Sequence, residues 1–137
     1  MANTLFTAYV NNILTQAATQ VDLDGDSIRA ILVDHGVDTP LPSTDDFLDD
    51  IGAGARIAVS GAMTVTISGR TVDMTDVTFT AVTGASVESI VIYKHTGTDS
   101  TSRLIAFIDT ATNLPITPNG GDITVTWDNG ANKVFSL

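Results

Sequence analysis

Apolar side chains follow two rhythms in this sequence, and the change between them divides the chain. Near the start, Leu5, Phe6, Tyr9, Val10, Ile13 and Leu14 recur as adjacent pairs one helical turn apart, which predicts a helix over residues 4–18 with Asn3 or Thr4 as its N-cap. The polar face of that helix carries Asn11, Asn12, Thr15 and Gln16 and no charge, so ion pairing adds little to it. Packing or a partner must hold it, and the six apolar residues are its candidate contacts with a neighbouring subunit.

Beyond residue 20 the rhythm shortens. Ile28, Ala30, Ile31, Leu32 and Val33 predict a buried strand within residues 27–34, after the turn-rich Asp22-Leu23-Asp24-Gly25-Asp26. Pro40 and Pro42 deny ladder donors and predict a loop over residues 36–43. A short acidic helix is predicted over residues 45–51, capped by Ser43 or Thr44, turning Phe47, Leu48 and Ile51 inward and ended by Gly52. Strands then follow over residues 56–60, 63–67, 77–82, 89–94, 104–109, 123–128 and 133–137. Alternation in Val77, Phe79 and Ala81, and in Ile123, Val125 and Trp127, predicts one wet face. Ile90-Val91-Ile92 and residues 104–108 are apolar on both faces and predict central, doubly covered strands. The Thr- and Ser-rich residues 96–102 suit a hairpin tip, and residues 128–132 suit a turn closing a last hairpin.

The expected fold is mainly β: a two-layer β-sandwich or partly open barrel with an N-terminal helix and one short acidic helix. It forms a single domain over residues 1–137, with a helical segment over 1–20 and a β-rich body over 27–137. Composition agrees, with 13 Val, 12 Ile and 21 Thr against three Lys and Glu together. At this length a chain buries roughly 68% of its unfolded surface, so a core needs no disulfide or metal, and the chain has no Cys. Six Lys and Arg stand against 16 Asp and Glu, a net charge of -10, which disfavours contact with a phosphate backbone. The N-terminus lacks a basic signal region and no apolar run is long enough to span a bilayer, so a soluble, unprocessed protein is expected.

Candidate chemistry is sparse. Asp22, Asp24 and Asp26 alternate as calcium ligands do, but Gly25 falls at the fourth position of the loop instead of the sixth, and Val33 occupies the place of the closing Glu. Asp45-Asp46-Phe47-Leu48-Asp49 matches a diphosphate-magnesium string, yet a solvated first helical turn explains it in a short, strand-rich chain. His35 and His95 have no Cys, nucleophile elbow or second imidazole at metal spacing beside them, and read as surface or turn residues. The glycines of residues 51–55 and 120–121 lack the Lys and helix of a phosphate loop. Tyr93 and Trp127 could stack on a sugar, but their strand phase favours the core. No catalytic, cofactor or metal residue is assigned.

Five stretches carry a resemblance: residues 46–51 (DFLDDI), 90–97 (IVIYKHTG), 104–109 (LIAFID), 114–123 (LPITPNGGDI) and 127–133 (WDNGANK). With them the chain resembles a recurrent small virion protein of tailed bacteriophages, from the N-terminal helix to the last strand, and the C-terminal strings are the most specific part. Capsid decoration is the role in that group that fits best. The resemblance then implies a non-enzymatic cement protein, made in the host cytoplasm and placed on the outer capsid surface. Its partners would be the major capsid protein and further copies of itself, with a trimer favoured and the N-terminal segment through Leu14 contacting a neighbouring subunit or the capsid, and neither nucleic acid nor membrane. The alternatives are a tail-tube, connector or head-fibre component, or a calcium- or glycan-binding β-sandwich using Asp22, Asp24, Asp26 or Trp127.

Overall fold

A computed structural model describes residues 3–15 and 20–137. Strand β1 (Thr4–Leu5) leads into helix α1 (Thr7–Thr15), followed by β2 (Ile28–Val33), β3 (Arg56–Val59), β4 (Val65–Ser68), β5 (Thr71–Met74) and β6 (Val77–Phe79). Then come β7 (Ser89–Lys94), β8 (Leu104–Ile108), β9 (Ile123–Val125) and β10 (Phe135–Ser136). They form three antiparallel sheets, ordered β1-β8-β7-β2-β3, β10-β5-β4 and β6-β9. This is a mainly β protein with one N-terminal helix, as the periodicity predicts.

The three apolar runs become the three inner strands of the large sheet. Facing residues share a face, so Ile31, Val91 and Phe107 line one side and Leu32, Ile90 and Ile108 the other. Phe6 meets Phe107 edge-on with ring centroids 6.5 Å apart on the first side. On the second, Leu32 and Ile90 face β9 and the loop carrying Leu114 and Ile116. Both faces are therefore covered, and Ile31, Val91, Phe107, Leu32 and Ile90 are buried. The small sheets add Val72, Met74 and Phe79, and the segment after β9 adds Trp127, to the same continuous core.

Several boundaries differ from the pattern. The N-terminal helix starts at Thr7, because residues 4–5 pair with β8, Thr4 opposite Phe107 and Leu5 opposite Ala106. Asn3 therefore caps no helix: its Oδ1 accepts the N–H groups of Asp109 and Thr110 at 3.0 and 2.9 Å, and its Nδ2 donates to Thr110 O at 2.9 Å. The predicted extension over residues 16–18 lies outside the described residues. The acidic helix is only a 3-10 turn, Leu48–Asp50, and a second turn, Ala53–Ala55, follows. Strand β5 goes unpredicted, and Gly69, at φ 61°, makes its tight turn from β4. Residues 128–132 close no hairpin, because β9 pairs with β6 and β10 with β5. The 96–102 stretch does form the tip between β7 and β8.

Candidate functional site

The six N-terminal candidates divide between core and surface. Phe6 and Tyr9 are buried in the chain's own core. Leu5, Val10 and Ile13 are half-buried, whereas Leu14 is 74% exposed. The inward face of α1 also contains Asn12, which the polarity pattern assigned outward. Its Oδ1 accepts Val21 N–H at 3.3 Å and its backbone carbonyl accepts Gln20 Nε2 at 3.2 Å, so the polar side chain is satisfied inside. Burial pushes the Tyr9 phenol up to about 12. Phe6 and Tyr9 thus hold the segment to its own body, leaving Leu14 as the outward apolar residue of the set.

His35 lies in the turn after β2 and is half-buried. Its Nε2 lies 2.8 Å from Ser89 Oγ, its backbone N–H donates to Glu88 Oε2 at 2.8 Å, and its ring stacks on Phe107 at 6.0 Å. Val33 opposite Ser89 in the β2–β7 ladder produces this meeting, which the linear sequence does not display. A Ser-His pair is half of a nucleophilic constellation. Ser89 is fully buried, however, so this hydroxyl reaches no substrate in the folded state, and the contact ties the exit of β2 to the start of β7. His95 Nδ1 lies 3.4 Å from Tyr93 Oη, in a T-shaped contact between the rings. Burial is the main force raising the Tyr93 phenol, against the pull of Arg29 and Arg56.

The carboxylate clusters cap backbone. Asp26 accepts Asp22 N–H at 2.8 Å and pairs with Lys94 Nζ at 2.9 Å, while Asp24 beside Asp22 raises the Asp22 carboxyl. Asp45 accepts Leu41 N–H at 2.7 Å, and Asp50 turns back to the N–H groups of Asp46 and Phe47 at 2.8 and 3.3 Å. Those N–H donors hold the Asp50 carboxyl below its ordinary value, whereas burial raises Asp45 and Asp46. Among the described residues, no three His, Cys, Asp or Glu side chains gather as a metal site would require.

Trp127 is buried, and its indole N–H donates to Thr75 O at 3.1 Å. Its edge borders a cleft of about 260 Å³ shared with Thr64, Asp73 and Asp76. A larger groove of about 410 Å³ runs between Leu32 and Ile90 of the large sheet and Leu114, Ile116, Ile123 and Val125. Its wall is held by Val87 N–H to Ile116 O at 2.8 Å and the return bond at 3.0 Å. Among the described residues, no helix is long and apolar enough to cross a membrane.

The geometry defines an antiparallel β protein whose polar side chains mainly fix turns and crossings. No protein-family model and no curated protein matches the sequence.

Proposed function

We propose that this is a non-enzymatic virion structural protein, a capsid decoration protein that binds the outer face of the major capsid shell in several copies and stiffens the DNA-filled head. The observation that carries the reading is the resemblance, taken with what its residues do in the fold. In the string over residues 114–123, Asn119 Oδ1 accepts Gly121 N–H at 2.9 Å and Asp122 Oδ1 accepts Ala81 N–H at 2.9 Å. Val82 and Gly120–121 exchange backbone bonds of 2.8 and 2.9 Å, docking that loop on the chain after β6. In the string over 127–133, Asp128 Oδ1 accepts Gly130 N–H at 2.9 Å. The residues that distinguish the sequence set loop shape, which suits a protein whose output is a contact surface. A net charge of -10 suits a position outside packaged DNA.

The test is a reconstruction of the virion together with the protein's copy number in tailless heads. Hundreds of copies on the outer shell are expected. Its absence from tailless heads would assign it to the tail, and a few copies at one vertex would assign it to the connector.

A further inference from the structure

The strands that end the sheets differ in how their rims are protected. Natural edges avoid pairing with other chains through brevity, charge, proline or bulges. Strands β1 and β10 have two residues each, and Asn3 clamps the approach to β1. β3 lies against a register shift between Leu32 and Val33. β6 follows Asp76, and β9 follows Asp122. β4, with four residues, has no charge, proline or bulge. Its register with β5 is continuous from Val65 opposite Met74 to Ser68 opposite Thr71. It lies within residues 57–69, which contain neither a charged side chain nor a proline in a chain of net charge -10.

The ladder determines which backbone groups face outward. Thr75 N–H donates to Thr64 O at 3.0 Å, so Thr64, and by alternation Thr66 and Ser68, exchange bonds with β5. Val65 and Ile67 consequently turn their N–H and C=O groups to the open rim, where no strand lies among the described residues. Ile67, opposite buried Val72, leaves its own side chain 47% exposed there.

We infer that β4 pairs antiparallel with β4 of a second copy, with Thr66 facing its counterpart across a two-fold axis and Val65 facing Ile67 of the other chain. In this register the outward groups of Val65 and Ile67 complete each other's ladder, and the interface is the same patch on both copies. Charge favours this edge over the remaining acidic surface. The nearest carboxylate across the hairpin, Asp73, has Lys133 Nζ at 3.7 Å. With two β4 strands between them, the two Asp73 residues stand about 14 Å apart, beyond a screening length of about 8 Å at physiological salt. The contact is two-fold, unlike the trimer the resemblance implies, and does not depend on the capsid reading.

Sedimentation equilibrium of the full chain tests it, with Ile67→Lys, Thr66→Lys and, as a surface control, Val37→Lys, at an exposed position outside β4 and the N-terminal segment. The unmodified chain should form a concentration-dependent dimer that Val37→Lys retains. Ile67→Lys and Thr66→Lys should each weaken it roughly tenfold or more, since Thr66→Lys sets two like charges against each other across the axis and Ile67→Lys sets two on the opposite face, one residue to either side of it. Far-ultraviolet circular dichroism verifies folding, and if one of these two variants is unfolded the other decides. A monomer at all concentrations, a trimer, or a dimer unchanged in the folded variants would overturn the inference.

Discussion

Arg56 Nη1 lies 2.8 Å from Asp99 Oδ2, joining the start of β3 to the tip between β7 and β8. The carboxylate is the lesser part of what Arg56 holds. Its Nη2 donates to Leu48 O at 2.7 Å and Ile51 O at 2.6 Å, and its Nε donates to Ile51 O at 2.9 Å. Asp99 is half-exposed, so Asp99→Ala should cost under about 1 kcal/mol. Arg56→Ala strips the Ile51 carbonyl of both guanidinium bonds and leaves Leu48 O only the Ile51 N–H at 3.1 Å, in a partly buried corner, and should cost about 1–3 kcal/mol. Urea denaturation of both variants checks the ranking, and equal losses would show that the ion pair dominates.

Asn3 makes its three bonds to the backbone of Asp109 and Thr110, more than a hundred residues away along the chain. Asn3→Ala should destabilise the protein by about 1–2 kcal/mol and loosen β1 before the rest. Hydrogen exchange reads this directly: the amides of Asp109 and Thr110 should lose protection while those of β7 keep theirs. Unchanged protection at Asp109 and Thr110 would contradict the clamp.

Alkaline stability should follow from Tyr9. Its phenol is raised by burial from an ordinary value near 10 to about 12, so the unfolded chain releases the proton first. The unfolded state binds fewer protons between these values, and stability therefore falls as pH rises from 10 toward 12, with the full contribution retained below 10. Tyr93 is displaced in the same direction. Ultraviolet titration with parallel melting curves should show late phenol ionisation and a falling Tm above pH 10. A phenol in the folded protein that titrates at its ordinary value would refute the assignment.

How much of this was legible depends on where each element finds its partners. β2, β7 and β8 announce themselves because a strand covered on both faces needs an unbroken apolar run, and Ile31, Val91 and Phe107 lie inside such runs. The N-terminal pattern misplaces the helix start because Thr4 and Leu5 answer to Phe107 and Ala106, which no local period encodes. Residues 45–51 have the composition of a helical first turn, but Asp50 takes the N–H groups there and Arg56 takes the carbonyls of Leu48 and Ile51. Side chains thus occupy groups that a longer helix would pair with itself. In β5, Asp73 breaks the apolar pattern over only four residues. The candidate contact residues were half legible: the stripe is real at Phe6 and Tyr9, but it points into the chain's own core, and the Ser89–His35 meeting had no linear signal.

The pairing of β1 with β8 also orders events during synthesis. Thr4 and Leu5 leave the ribosome long before Ala106 and Phe107 exist, so the first strand must wait for nearly the whole chain before it can dock. Until then the backbone N–H and C=O groups of Thr4 and Leu5 have no ladder partner, and the same stretch of backbone that finishes the sheet is the part a chaperone would find unattached.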